Sequence, residues 1–252
     1  SNAWLTSQNA AGLHGLALDN ISQAELNIEK NNGDFRNYNQ SDDSFHAGAN
    51  IESLYRFNPK TVFFGGVKYG VSQGKNMAGS VFMNPDRLPF NIVEYSDENA
   101  GTKKLEIYNL FGAVSYELTN RLALGARIDF LASNYAKDKD LRHKNNSSDL
   151  SLTAGASYQI NKLLEVGANY YYRRRIEGLE FKIYGKEGVN YFALVDYGVF
   201  AGENVQYNAQ GEKDLTEDFI SGTFDRPLVD QYHGIDVQLG FNFTSNLNLY
   251  NE

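Results

Sequence analysis

Apolar and polar side chains alternate along several stretches of this chain. In the stretch 108–118, Leu110 and Val114 fall on one set of positions while Asn109 and Ser115 fall on the other. The same alternation recurs in three further stretches, 122–133, 150–159 and 164–175. Successive side chains of a β-strand point to opposite faces, so the pattern predicts strands with one apolar and one polar face.

The alternating stretches are long for strands of a soluble protein. They run to about a dozen residues, whereas strands of globular domains usually have about 5–6 residues. Tilted transmembrane strands need about 9–11 residues. Tyr and Phe also gather beside the turns, where a membrane barrel carries its aromatic girdles. The strand length therefore predicts a transmembrane β-barrel.

One unit repeats along the chain. Segments that begin at Tyr55, Tyr116 and Tyr158 share a plan, in which tyrosine and an apolar residue precede a tight polar turn and an alternating run with glycine. FNFTSNLNLY (241–250) fits this plan a fourth time. The unit is a strand-turn-strand of roughly forty residues, and its repetition predicts an up-and-down meander.

The meander predicts eight strands and the start of a ninth at Leu247. The eight strands lie near 17–30, 44–57, 62–73, 104–118, 122–135, 149–160, 163–176 and 232–243. Tight turns are expected near 58–61, 119–121 and 161–163, and long polar connections at 31–43, 76–102, 136–148 and 177–231. This asymmetry is typical of outer-membrane barrels, whose short turns are periplasmic. Within the last connection, 178–185 and 191–200 are β-rich and form either extramembrane strands or further barrel strands.

Composition excludes several other classes of protein. The chain has 252 residues and a net charge of −8 without a basic stripe, which argues against nucleic acid as a partner. It has no cysteine, and no run of about 18 apolar residues that would form a transmembrane helix. A mean hydropathy of −0.48 fits a barrel, because each strand has one polar face. Ser1–Ala3 resembles the remnant of an expression tag, and no signal peptide is visible in the sequence.

The search for catalytic chemistry finds little. His14, His46, His143 and His233 lie far apart without metal-ligand spacing, and no nucleophile-elbow, phosphate-loop or dinucleotide motif occurs. We therefore predict no catalytic residue, no metal, no cofactor and no enzymatic activity. Because His46 falls near an outer strand end, a barrel enzyme with its site at the outer rim is kept as a remote alternative.

Charged residues on the polar strand faces are the candidate site. If those faces point inward, nine residues line the lumen: Glu52, Arg56, Lys68, Arg127, Asp129, Glu165, Arg173, Arg175 and Asp236. Two interpretations stay open, a pore lining and a packed, salt-bridged core, because unpaired buried charge is costly. The run 173–175 near the outer rim is either a clamp for lipopolysaccharide phosphates or a solvated strand end.

Short motifs resemble known outer-membrane families. WLTSQNAAGL (4–13), the FNPKTVFFGGVKY hairpin, MNPDRLPF (83–90) and GVNYFALVDYG (188–198) resemble an uncharacterised family of β-barrels from Bacteroidota. NAAGL is also similar to the NPAGL element of FadL-type channels, with Ala10 in place of proline. The first resemblance implies the N-terminal portion of a longer barrel, and the second implies a plug formed by residues 1–15.

The predicted fold is all-β, an antiparallel up-and-down transmembrane β-barrel that is an incomplete portion of a larger barrel. The alternative is a small eight-stranded barrel with a tail. A periplasmic or plug-like segment, 1–15, precedes the strands of 16–252 with their extracellular loops 76–102 and 177–231. We expect a passive channel or ligand-binding protein of the bacterial outer membrane. The alternative is a structural subunit that binds another outer-membrane protein or a surface lipoprotein, and outer-membrane lipid or lipopolysaccharide is the expected surrounding partner.

Overall fold

The computed structural model describes most of the chain. The described residues are 7–16, 20–34, 36–37, 39–95, 99–182, 184, 191–199, 201–207, 227–244 and 247–251. The first six residues of the predicted plug and most of the acidic stretch of the 177–231 connection lie outside them. In the described part of the chain, no helix has the length and apolar character needed to cross a membrane.

In the part of the chain that the structure describes, nine strands form one antiparallel sheet, in which strands that follow one another in the sheet are neighbours in space. Its strands are β1 (Asn20–Asn32), β2 (Asp43–Asn58), β3 (Thr61–Met77), β6 (Gly101–Thr119), β7 (Leu122–Lys137), β8 (Arg142–Gln159), β9 (Leu164–Lys182), β12 (Leu228–Thr244) and β13 (Leu247–Asn251). The prediction of an all-β, up-and-down arrangement is confirmed. Tight turns lie on one rim and long connections on the other, because every strand reverses direction.

The register of the sheet separates an apolar face from a polar one. Ile128 pairs with Leu152, and Leu110 pairs with Phe130, so these side chains share a face. On that face Leu110 is 52% exposed and Ile128 47% exposed. The opposite face carries the intervening polar residues. Exposed apolar residues on one face and polar residues on the other form the pattern of a membrane-spanning barrel wall.

Several strands extend further than the alternation predicts. The connection expected at 136–148 is reduced to 138–141, because β7 and β8 continue their pairing to Ala136 and Lys144. In this extension the outward positions Lys144 and Asn146 are polar, so the apolar signal ends while the backbone ladder continues. The loop boundary predicted from hydrophobicity marked the end of the apolar belt, and the strand ends lie beyond it.

The sheet does not close on itself. β1 pairs with β2, β13 pairs with β12, and no pairing joins the two ends of the sheet among the described residues. The expectation that these residues form an unclosed portion of a barrel is confirmed.

A second sheet stands at the rim that carries the long connections. It is built from β4 (Gly79–Ser80), β5 (Asn91–Glu94), β10 (Tyr191–Gly198) and β11 (Ala201–Tyr207) in the order β11-β10-β5-β4. Two distant connections of the main sheet therefore pair with each other, Ala193 opposite Glu94. We call this sheet, together with the segment 81–90 that joins β4 to β5 and contains the 3₁₀ turn Pro85–Arg87, the cap. Of the two alternatives left open for 191–200, the described residues 191–198 form a strand outside the main sheet, while 178–182 extends β9.

Candidate functional site

A short N-terminal segment covers the polar face near the rim with the tight turns. We call residues 7–16 the plug, whose centre is the 3₁₀ turn Ala10–Gly15. Asn9 caps this turn, since its side-chain oxygen accepts a hydrogen bond from the Ala11 N–H at 3.1 Å. The Asn9 amide nitrogen donates to Gln238 Oε1 at 2.9 Å and to the Ala156 carbonyl at 3.1 Å. One buried asparagine thus attaches the plug to strands β8 and β12.

Small residues on the polar face allow the plug to approach the backbone of the sheet. A Cβ atom on Gly125 would stand 2.1 Å from the Ala11 nitrogen, closer than any side chain can come. Ser115 adds a direct bond, because its hydroxyl donates to the Ala11 carbonyl at 2.8 Å. A glycine is therefore required at position 125 for the plug to seat.

Apolar contacts and one arginine complete the plug site. Leu13 and Leu16 pack with Leu54 and Val62 in a buried cluster that also includes Ala10 and Ala113. Arg56 donates from Nη2 to the Leu16 carbonyl at 2.6 Å. These attachments are apolar packing and hydrogen bonds to main-chain carbonyls or to the neutral side chain of Gln238, with the Arg56 guanidinium as the charged donor.

A buried group of charges attaches the cap to the opposite end of the polar face. Glu94 of β5 pairs with Lys103 of β6 at 2.7 Å and with Lys137 of β7. All three side chains are at most 1% exposed. Lys103 Nζ also donates to the Ser80 carbonyl at 2.9 Å, and Lys137 Nζ donates to the Asn99 carbonyl at 2.7 Å. Two strands of the main sheet are thus bound to one carboxylate of the cap.

His143 of β8 completes this charge cluster. Its Nε2 lies 4.0 Å from Glu94 Oε2, and its Nδ1 forms a 2.9 Å hydrogen bond with Asn145 Oδ1. The cluster lies beyond the apolar belt, beside the cap. Burial, together with the positive charge of Lys103, holds the pKa of His143 well below its usual value. Burial also lowers the pKa of Lys103 and Lys137, and Glu94 opposes that shift.

An apolar core holds the rest of the cap. Among the described residues, eight buried side chains form it: Val81, Phe82, Phe90, Ile92, Leu141, Leu179, Ala193 and Val195. Leu141 comes from the connection that precedes β8 and Leu179 comes from β9, so the core joins the cap to this rim of the main sheet. Ile92, Val81 and Val195 are fully buried. The cap has the interior of a small packed domain.

Between plug and cap the polar face carries bidentate arginine-aspartate pairs. Arg127 donates from Nε and Nη2 to the carboxylate of Asp129 at 2.7 and 2.9 Å. Arg173 of β9 binds Asp149 of β8 in the same way, with Nε 2.8 Å from Oδ1. Because Asp129 and Arg173 both stand opposite Ser151, the two pairs occupy neighbouring rows of the wall.

A third pair continues the row toward β12. Arg175 lies 3.7 Å from Asp230 and donates to the Tyr232 hydroxyl at 2.6 Å. Deeper in the wall, Asp236 accepts a hydrogen bond from Asn169 at 2.9 Å, and Gln238 donates to Asn169 at 2.6 Å. These contacts place several groups of paired polar side chains between the plug and the cap.

Two adjoining cavities lie against this network, and together we call them the chamber. The first has a volume of about 470 Å³ and is lined by Gln8, Asn109, Asp129, Leu131, Asp149, Ser151, Tyr171, Arg173 and Asp236. The second has about 380 Å³, shares Leu131, Asp149 and Arg173 with the first, and reaches Met83 and Leu88 of the cap. A larger apolar depression, lined in part by Phe63, Ile128 and Leu152, opens on the exposed apolar face instead.

All nine residues predicted to line the lumen lie on the polar face. Five of them take part in the chamber network: Arg127, Asp129, Arg173, Arg175 and Asp236. Arg56 contacts the plug, while Lys68 and Glu52 pair at 2.9 Å on β3 and β2. Glu165 stands opposite Gln159, near the rim with the tight turns. Whether this face lines an open lumen stays a prediction.

The sequence reading missed the residues that attach plug and cap. Gly125 and Asn9 carry no chemical motif, although Asn9 belongs to the NAAGL element that suggested a plug. Glu94 lies in a loop read as polar, and Lys103 and Lys137 fall at strand ends. The signal available in the sequence was the position of both lysines, which fall on the polar face at strand ends that would otherwise be exposed to solvent.

Comparison with known proteins identifies a family and little else. The model of a family of unknown function, DUF6850, matches residues 10–252. No curated protein matches the chain. The crystal structure of the toluene transporter TbuX from Ralstonia pickettii aligns with a TM-score of 0.36 and 10% sequence identity, covering 92% of this chain and 71% of that one. A likeness at this level supports no statement about this chain.

Proposed function

Because the chain belongs to this family of unknown function, we propose from its geometry that it is part of an outer-membrane β-barrel for passive solute transport. The observation that carries the proposal is the chamber, a polar space bounded at its two ends by parts of the chain that are not strands of the main sheet. The plug covers it at one rim and the cap at the other. A wall that only stabilised a barrel would need neither a plug nor a cap.

The apolar face supports the membrane location. Side chains such as Leu110, Ile128 and Ile235 are about half or more exposed on it, and contact with outer-membrane lipid, including lipopolysaccharide, would remove them from water. Binding to another outer-membrane protein or a surface lipoprotein remains a separate hypothesis, as does the absence of enzymatic activity.

Release of the plug is the test of transport. The full-length protein is reconstituted in lipid vesicles, and swelling is measured in isotonic arabinose, glucosamine hydrochloride and sodium gluconate. We compare the unmodified protein with Gly125→Ala, whose added methyl group would overlap the Ala11 backbone. Gly70→Ala is the matched control, since a Cβ there meets only His46 Cε1 at 3.7 Å.

We expect Gly125→Ala to admit solute faster than the unmodified protein and Gly70→Ala to leave the rate unchanged. If none of the three solutes enters vesicles of any variant, the transport proposal is wrong. The paired charges would then favour the second candidate function, a structural subunit with a packed lumen. Far-ultraviolet circular dichroism of each variant establishes that the strands are formed.

A further inference from the structure

The charges that line the chamber are almost balanced. Among the described residues they comprise four arginines and five carboxylates, namely Arg87, Arg127, Arg173, Arg175, Asp129, Asp149, Glu177, Asp230 and Asp236, where Arg127 is counted as the partner of Asp129. Six of them form the three arginine-aspartate pairs. The other three are Arg87, which is exposed, and Asp236 and Glu177, which accept hydrogen bonds from Asn169 and Asn145. The chamber therefore offers a dense array of hydrogen-bonding groups with little net charge.

This balance disfavours an ion. A charged solute that enters a narrow space loses much of its hydration, and that loss is repaid only by an unpaired counter-charge. In the chamber the guanidinium groups of Arg127 and Arg173 are already bound to carboxylates through two N–H groups each. An anion that binds the remaining N–H groups of such an arginine also meets the negative charge of its carboxylate partner, so the pair gives it little net Coulomb attraction.

A neutral hydroxylated solute meets no such cost. Carboxylate oxygens that already bind an arginine keep lone pairs free to accept hydroxyl groups. Ser151, Asn109 and Tyr171 add donors and acceptors around the first cavity, and Leu131 adds an apolar surface for C–H groups. A volume of about 470 Å³ falls within the usual range of small-ligand sites.

We infer that the chamber admits small neutral polyhydroxylated solutes, of the size of one sugar ring, in preference to ions of the same size. The inference rests on the proposed transport function and names its substrate class. The paired charges of the wall set the selectivity between neutral and charged solutes. Asp129 and Arg173 determine whether anions or cations are favoured, because Asp129 neutralises Arg127 and Arg173 neutralises Asp149.

The experiment uses three solutes of nearly equal size, glucose, glucosamine hydrochloride and sodium gluconate, and vesicles that contain full-length Gly125→Ala protein. We expect glucose to enter at least about fivefold faster than either charged solute at low ionic strength. Added Asp129→Asn leaves Arg127 without its carboxylate and should raise gluconate entry relative to glucosamine by about fivefold, the effect of one unit charge at contact in water. Added Arg173→Gln frees Asp149 and should shift the ratio by a similar factor in the opposite direction.

Asp43→Asn is the matched control, because Asp43 pairs with Lys30 and Lys75 outside the chamber. It should leave the ratios unchanged. Entry of the charged solutes as fast as glucose, or movement of the two ratios in the same direction, overturns the inference while transport stands. Failure of all three solutes to enter overturns the transport function and the inference together. Binding of glucose measured by calorimetry on the unmodified protein gives a second readout, with a weaker enthalpy for gluconate and glucosamine expected.

Discussion

The plug and the cap both cover the polar face, but they are attached by different physics. The plug is held by neutral hydrogen bonds from Asn9, by one hydrogen bond from Arg56 to a main-chain carbonyl, by small residues and by a modest apolar cluster. The cap is held by a buried carboxylate with two buried lysines and by an apolar core of eight side chains. Neutral contacts can be opened one at a time at a small cost in free energy, whereas the charges of a buried cluster have to separate together.

This difference assigns different roles to the two ends of the chamber. A segment whose hydrogen bonds go mainly to main-chain carbonyls can exchange them for hydrogen bonds to water at a small net cost in free energy. Such a segment is suited to move away from the sheet. A buried ion cluster inside a packed core suits a part that stays. We expect the plug to be the movable closure and the cap to be the fixed one.

Loss of the Glu94 carboxylate should have the largest effect on this contrast. Glu94→Gln leaves Lys103 and Lys137 buried without their counter-charge, and breaking a buried pair in this way costs about 3–5 kcal/mol. The cap should open, and amide hydrogen exchange in β5 and β10 should accelerate strongly while exchange in the plug is unchanged. Glu106→Gln is the matched control, since its pair with Lys104 is exposed. Unchanged protection of β5 in Glu94→Gln would show that the charges do not hold the cap.

Removal of the Asn9 side chain should have a smaller effect at the other end. Asn9→Ala deletes the bond to Gln238 and the turn cap on Ala11, and we expect a loss of about 1–3 kcal/mol from the unsatisfied groups. Exchange in 10–15 should accelerate and that of the cap should not. Gln8→Ala, at an exposed position of the plug, serves as the comparison. Equal exchange in the two variants would contradict the anchoring role.

A change of pH should have the smallest effect and should act on the cap alone. His143 has a lowered pKa in the closed cap, where Lys103, Lys137 and Glu94 face it, and an ordinary pKa of about 6.5 once exposed. The open form therefore binds more protons below pH 6.5, so the closed form loses stability as the pH falls through that value. The loss should approach about 1.4 kcal/mol per further pH unit. Exchange of β5 between pH 7.5 and 5.5, corrected for intrinsic rates, measures it, and His143→Gln should remove the dependence.

The main sheet was predictable because its information is local. Alternation from Leu110 to Leu118 or from Leu150 to Tyr158 gives both the strand and its face, and the tight turns give the connections. The cap was not predictable in the same way. Its strands β5 and β10 pair with each other although β6 to β9 separate them in the sequence. No short-range pattern in either connection indicates which segment it will pair with.

The candidate site divides along the same line. The charges of the wall, such as Arg127 and Asp129, follow from strand alternation, because every second residue shares a face. The pairing of Arg173 with Asp149 follows only from the inter-strand register. The position of the plug depends on the lack of a side chain at Gly125. No sequence pattern distinguishes this glycine from the glycines of the turns and of the other strands.

The pairing of β5 with β10 also has a consequence for the order in which the molecule assembles. Contacts between distant parts of a chain form slowly, since the intervening loop loses conformational entropy before any contact compensates for it. Here the loop contains four complete strands of the main sheet. We therefore expect the wall to form before the cap docks. The nascent protein then passes through a stage in which Glu94, Lys103 and Lys137 are all hydrated and the cap end of the chamber is open to water.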